Sequence, residues 1–389
     1  MNQIDNSVAV SIIVPVLNTR KYIKECLDSL SGQTLKNIEI ICVDGGSTDG
    51  SLEIIEEYSK KDKRFHLVTD TKGSYGAQLN RGIELAKGDY IAIAEPDDYV
   101  SEEMYEALYK EAVTTDSDIV KGDYCRFIGD GSDRFYFPKS ACKEEWYGKD
   151  LNARREKDLL ESTPANWSGI YKKSFLEKEK IFHNTTRGAA YQDLGFWFLA
   201  TALAGRIRFI PVNGYYYRID NPDSSINSSN KENCLKNELE WLEEQLKDRD
   251  LFDEYYSKYQ RIKQIHTGWM NRKTEGVAKT ECFKAITNSK PKSCVLFGCG
   301  ADGVEYLVTL KSKGLIDRIN CLTDNDRSLW GKRLLEIPVV NPKDALMSCK
   351  KDTGREAIFI ISSTRYKESI QKQLEEYGVK RENIFQIGV

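Results

Sequence analysis

Five stretches in fixed order decide how this chain is read: VSIIVPVLN (residues 10–18), IICVDGGSTDGS (40–51), GAQLNRGI (76–83), GDYIAIAEPDDYV (88–100) and AAYQDLGFW (189–197). The first, second and fourth are short, β-branched apolar runs that lead into Asn18, Asp44 and the cluster Glu95-Pro96-Asp97-Asp98. Such runs read as strands buried on both faces. Helical patterns separate them at residues 22–30, 51–58, 76–86 and 102–113, with a further strand-like run at 65–68. Strand alternating with helix predicts an α/β fold with a doubly wound, mostly parallel sheet, and in such sheets ligands bind beyond the carboxyl ends of the strands. The polar ends of these runs are therefore the candidate site.

Residues 123–218 are less regular, aromatic-rich and broken by turns. Residues 230–290 carry Trp, Leu and Tyr at helical spacing among many charges, which predicts helices packing between domains, with a homodimer contact as the second reading. A new strand–helix–strand pattern starts at Ser293, within KSCVLFGCGADG (residues 292–303). The chain thus divides into an α/β domain at 1–228, a helical linker at 229–290 and a smaller α/β domain at 291–389, in line with about 150 residues per domain.

Composition narrows the class. Forty per cent apolar residues, 27 Gly and 9 Pro describe a globular chain, and no apolar run reaches the roughly 20 residues that span a bilayer. The start, MNQIDNS, lacks the basic flank and apolar core of a signal peptide. Ten scattered cysteines without a CxxC pair suit reduced, buried thiols, so a cytoplasmic location is expected. His66, His183 and His266 have neither zinc-helix nor triad spacing and read as structural. A net charge of −3 with interleaved Lys and Glu argues against nucleic acid, and leaves room for a peripheral contact with the inner face of a membrane.

Each motif has a purely structural reading beside a chemical one. Pro15 can simply end a sheet-edge ladder, or it can leave the backbone at Val16 and Asn18 facing a ligand. Asp44 can accept from a base N–H or a ribose hydroxyl, whereas Ser47, Thr48 and Asp49 read better as helix caps. Alone, EPDD would be an acidic loop capping the helix after Ser101, and Asp193 a helix-capping acid. Gly76 and Asn80 belong to a loop that opens a helix, where small residues allow close approach.

Together and in this order, the motifs resemble glycosyltransferase family two, whose catalytic domain has the GT-A fold. The resemblance covers residues 8–225. It implies a nucleoside diphosphate sugar as donor, most simply a UDP-sugar, and a glycan or lipid-linked hydroxyl as acceptor. Donor contacts fall on Pro15, Val16, Asn18, Asp44, Gly76, Asn80, Glu95, Asp97 and Asp98. Asp97 aligns with the second acid of the family's Asp-any-Asp motif and is the expected ligand of a divalent metal, Mn2+ or Mg2+, which neutralises the leaving diphosphate. Glu95 replaces the first acid. Asp193 is the expected general base, with Gln192 where the family has an acid, and Trp167 and Gln192 line the acceptor side. Arg218 or Arg187 suits the diphosphate. The chain departs from the family pattern at Gly45, where a second acid is common, and at Leu79, where an arginine is common and Arg81 is the nearest substitute.

In the last domain, Gly298, Gly300 and Gly303 form GxGxxG directly after an apolar strand, and Asp324 ends the next one. This resembles small Rossmann-like domains beside sugar-modifying enzymes. Nucleotide binding and a turn needed only for helix packing are equally good readings of it. Two rival functions follow: an oxidoreductase or epimerase working through Gly298, which leaves EPDD and QDLGFW unexplained, and a non-catalytic nucleotide-sugar binder, motivated by Glu95, Gly45 and Leu79.

Overall fold

The computed structural model describes residues 7–131, 134–225, 230–271, 281–353, 356–363 and 365–387. Two compact units result: Met1–Arg126 with Pro138–His266, and Phe127–Phe137 with Thr267–Val389.

The first unit opens with β1 (Val10–Val16), α1 (Ile23–Ser31), β2 (Ile38–Asp44), α2 (Ser51–Lys61), β3 (Phe65–Thr69), α3 (Tyr75–Leu85) and β4 (Tyr90–Ile93). All seven residues of β1 and of β2 are buried, as expected of strands in the middle of a sheet covered by helices. On α1, Ile23, Cys26, Leu27 and Leu30 supply the covering face at three- and four-residue spacing. β1 pairs in parallel with β2 on one side and with β4 on the other, and β2 pairs in parallel with β3. The chain therefore winds outward from β1 to β3 and returns across it to β4. A crevice at the carboxyl end of β1 follows from that reversal.

Then come β5 (Tyr99–Val100), α4 (Met104–Thr115), β6 (Ile119–Ile128), β7 (Phe135–Lys139), β8 (Gly169–Lys172), α5 (Lys173–Lys178), α6 (Gln192–Leu203), β9 (Ile207–Arg218), α7 (Lys231–Asp248) and α8 (Phe252–Asn271). Strand order is β3-β2-β1-β4-β8-β6-β9-β5, with β7 beside β6. The β4/β8, β6/β8 and β5/β9 pairs are antiparallel, so the sheet is parallel where the site forms and mixed beyond it. Helix α6 is apolar nearly all round and buried from Leu194 to Ala202. α7 lays Leu235, Leu239, Leu242 and Leu246 inward, and α8 adds Tyr255, whose hydroxyl donates to the Ala202 carbonyl.

In the second unit, α9 (Glu281–Asn288) precedes β10 (Cys294–Phe297), α10 (Ala301–Ser312), β11 (Ile319–Thr323), β12 (Arg333–Leu334), β13 (Ile337–Val340), α11 (Pro342–Thr353), β14 (Ile358–Ile361), α12 (Lys367–Glu376) and β15 (Ile384–Gln386). The sheet order is β12-β13-β11-β10-β14-β15, parallel except for the β12/β13 pair. Its core gathers Val295, Phe297, Cys321, Phe359, Ile361 and Leu374. The described cysteines are free thiols, all buried except Cys142, which is half-buried; the side chain of Cys349 lies outside the described residues.

Candidate active site

At the carboxyl ends of β1 and β2, loops are stitched by their own polar groups. Asp44 is buried, and its carboxylate accepts the N–H groups of Gly46 at 2.9 Å and Ser47 at 3.1 Å. Asn18 stands in the left-handed region at φ 53°; its N–H donates to Ser47 Oγ and its Oδ1 accepts from the Thr48 N–H. Pro15 differs from its expected place. It lies in the central strand, paired with Val43, rather than at a sheet edge, and its missing N–H is tolerated because pairing with β4 has already ended at Ile13. The Val16 carbonyl accepts from the Gly45 N–H at 2.7 Å and from Gln78 Nε2 at 2.9 Å, and Gln78 also donates to Val43 at 2.7 Å. A side chain at Gly45 would start 3.1 Å from Gln78 Nε2, so the Gln78 amide would have to give by a few tenths of an ångström to admit one.

Beyond β4, the acids separate by role. Asp98 turns inward, where its carboxylate accepts from the Tyr215 hydroxyl at 2.8 Å and the Arg218 N–H at 2.7 Å, and burial pushes its carboxyl well up. It is a strut of this loop. Glu95 accepts from the Tyr75 hydroxyl at 2.5 Å; burial raises its carboxyl to about 8, and the charges of Asp97 and Asp193 add to that rise. Asp97 is also raised, chiefly by burial, and accepts from Asn221 Nδ2 at 2.7 Å. Arg218, expected near a diphosphate, is instead buried, bonded to the Asp97 carbonyl and paired with Glu25 and Asp220. Arg187 is exposed and runs beside Gly73. Trp167 is buried in an aromatic stack on Tyr215 and Tyr217 at 4.4 and 5.0 Å.

Helix α6 brings in the last acid. Tyr191, at φ 66°, turns the chain so that Asp193 sits in the first turn. Burial raises its carboxyl to about 6, held back by backbone N–H groups and by Lys121. Asp193 acts electrostatically on Glu95, Tyr75 and Lys121, so α6 and the end of β4 share one electrostatic neighbourhood. Gln192 is buried and works as a buckle: its Oε1 accepts from the Gly76 N–H and its Nε2 donates to the Thr186 carbonyl. Asn80 is a second buckle, bonded in both directions to the backbone of His183. Gly76 is required because a Cβ there would lie 1.9 Å from the Asn184 carbonyl oxygen, a packing reason rather than a ligand reason. Leu79 is core, and Arg81 pairs with Glu84.

Three residues escaped sequence reasoning. Lys121 on β6 is fully buried; its ammonium donates to the Thr163 carbonyl and lies 3.9 Å from the Trp197 ring centre, and burial lowers it to about 7. Glu238 on α7 accepts from the Gly195 N–H and from Asn184 Nδ2, capping α6 from outside. Tyr75 is the third. A lysine inside an apolar strand run is a legible signal; Glu238 and Tyr75 look like ordinary surface residues in sequence. His183 stacks on Phe196 at 4.0 Å, and burial lowers its imidazole to about 3, so it is a neutral core residue.

Among the described residues, no three acids, histidines or cysteines converge into a ready metal cage. Glu95 and Asp97 nevertheless fit a hard divalent cation: both carboxyls are pushed up by burial, Asp97 further raises Glu95, and a cation relieves that penalty. Two carboxylates completed by diphosphate oxygens is a common Mg2+ set. In the second unit, Gly298 and Gly303 lie at the β10–α10 turn and Asp324 accepts from the Cys299 N–H.

Residues 11–179 match the family described as Glycosyl transferase family 2. The chain is 36% identical over 214 residues to the glycosyltransferase GlyG of Streptococcus pneumoniae, which covers 54% of this chain and 70% of GlyG. It is 35% identical over 214 residues to the poly(ribitol-phosphate) beta-glucosyltransferase of Bacillus spizizenii, covering 54% of this chain but 32% of that protein. In fold, it resembles S. aureus TarS 1-349 in complex with UDP-GlcNAc, with a TM-score of 0.51 at 20% identity over 61% of this chain and 66% of that one. The GT-A-like sheet, the acids at its carboxyl edge and these relatives agree, and the chain belongs to glycosyltransferase family 2.

Proposed function

We propose that this chain transfers a sugar from a UDP-sugar to a hydroxyl of a glycan or lipid-linked acceptor, with inversion at the anomeric carbon. The carrying observation is that the start of α3 ties the acids together: Tyr75 donates to Glu95 beyond β4, beside Asp97, and the next residue, Gly76, donates its N–H to Gln192, the neighbour of Asp193 at the head of α6. Relatives support the donor class: the S. aureus protein of like fold is named as a UDP-GlcNAc complex, and a relative is named for beta-glucosylation of poly(ribitol-phosphate). Asp44 and the β1 end receive the nucleoside, and Asp97 with Glu95 receives the diphosphate end. A divalent cation held by these two acids supplies charge neutralisation of the departing diphosphate.

The acceptor oxygen attacks the anomeric carbon as the bond from that carbon to the β-phosphate oxygen breaks. Its proton passes to the Asp193 carboxylate, and UDP leaves with the bonding pair. A base held near 6 is ionised at neutral pH yet basic enough to take a proton from a hydroxyl that is bonding to carbon. Arg187, exposed beside Gly73, offers a positive charge to the diphosphate.

Incubating the chain with UDP-glucose, UDP-galactose and UDP-GlcNAc, with Mn2+ or with chelator, tests this reading. Metal-dependent UDP release from one donor is expected. Absence of both release and metal-dependent UDP binding would overturn it.

A further inference from the structure

A cavity of about 820 Å3 opens at the carboxyl ends of β10 and β14, inside the second unit and formed by its residues alone. Its position follows from topology. β11 flanks β10 on one side and β14 flanks it on the other, so the winding reverses here and leaves a crevice. Gly298, Gly300, Asp324, Ser362, Arg365 and Tyr366 are among the residues that line it.

The three glycines of the turn have different reasons to be glycine. Gly298 has φ +112°, and a Cβ there would lie 2.4 Å from Ser362 Oγ; at Gly303 a Cβ would lie 2.1 Å from the Gly298 carbonyl oxygen. These two close the turn and seat α10 against the sheet. Gly300 is under neither constraint. Its φ is −73°, and a Cβ built on it meets nothing within 4 Å among the described residues. Strain and packing therefore do not require a glycine here, and its bare backbone leaves the cavity mouth open to close approach by a ligand.

The other walls supply complementary chemistry. Gly300 is the N-cap of α10, a twelve-residue helix whose first-turn N–H groups favour an anion. Asp324 is anchored at the end of β11 by the N–H groups of Cys299 at 2.7 Å and Asp326 at 2.9 Å, one on each carboxylate oxygen, and its carbonyl accepts from Trp330 Nε1. A carboxylate has about four acceptor sites, so it can still take hydroxyl donors. Arg365 and Tyr366 are both exposed at the cavity wall, with the guanidinium 5.3 Å from the Tyr366 ring centre, so a cation and an aromatic face stand side by side there.

We propose that this cavity binds a nucleotide with a ribose and a diphosphate: the ribose hydroxyls on Asp324, the phosphates past Gly300 on the α10 N-terminus with Arg365, and the base against Tyr366. The site is separate from the acids of the first unit and does not depend on their function.

Calorimetric titration of the full chain with UDP, ADP and NAD+ tests this, using wild type, Gly300→Thr, Asp324→Asn and Asp44→Ala. Thr equals Gly as an N-cap, so Gly300→Thr fills the cavity mouth without harming α10. One probe is expected to bind at a site that Asp44→Ala leaves intact and that Gly300→Thr and Asp324→Asn each weaken at least about tenfold, while the urea midpoint of Gly300→Thr matches wild type. The proposal is overturned if no probe binds beyond what Asp44→Ala abolishes, or if Gly300→Thr keeps wild-type affinity. If Asp44→Ala abolishes no binding, that counts against the donor assignment and not against this one.

Discussion

Lys121 offers a quantitative test of the electrostatics around Asp193. Its side chain is 0% exposed, and burial lowers its ammonium from 10.5 to about 7. Between those two values the unfolded chain binds a proton that the folded chain does not, so stability rises with pH across that window. Above the unfolded value the penalty is absent; it grows as pH falls and is complete below about 7. A shift of this size, at 1.36 kcal/mol per unit, amounts to about 5 kcal/mol. Lys121→Met keeps the length of the side chain and removes the charge, but leaves the Thr163 carbonyl without its donor, a loss of about 1–3 kcal/mol. The variant should therefore be more stable than wild type by about 2–4 kcal/mol at pH 6. By pH 9.5 most of that advantage is gone, a swing of about 3 kcal/mol between pH 7 and 9.5. Urea unfolding at pH 6, 7 and 9.5 measures it. A stability difference that stays constant with pH would refute the reasoning. Because the Lys121 charge lowers Asp193, the variant should also shift the acid limb of turnover upward.

Other predictions follow from single contacts. Gly76→Ala places a methyl 1.9 Å from the Asn184 carbonyl, and should destabilise by at least about 1–3 kcal/mol in urea unfolding. Asn80→Ala removes both bonds to the His183 backbone and should lower stability by about 1–3 kcal/mol, with UDP affinity little changed in calorimetry. Asp97→Asn should abolish the Mn2+ dependence of UDP binding and leave the folded spectrum intact.

The layout of the first unit was legible because β1, β2 and β4 are wholly buried, so unbroken apolar runs such as VSIIVPV could be read directly. The acids were legible for the same reason: each follows a strand or opens a helix, and position along an element is a local property. What sequence hid were choices made by distant partners. Asp97 and Asp98 are neighbours, yet Tyr215 and Arg218 from β9 draw Asp98 inward. Gly76, Asn80 and Gln192 looked like ligand contacts, yet Asn80 and Gln192 bond to the backbone of the 183–186 segment and Gly76 packs against it. Gln78, joining Val16 to Val43, and Glu238, capping α6 from α7, have no periodic signature at all. Arg218 read as a phosphate ligand because nothing in its neighbourhood announces Glu25.

The central claim is that Asp193 takes the acceptor proton, and the direct measurement is the pH–rate profile of sugar transfer for wild type and Asp193→Asn. Wild-type kcat/KM should fall about tenfold per pH unit below an apparent pKa of about 6, because the base must be ionised. Asp193→Asn should lose about 100- to 10,000-fold in kcat together with that limb, while UDP affinity is retained. A variant that transfers sugar at the wild-type rate with the same limb would contradict the account.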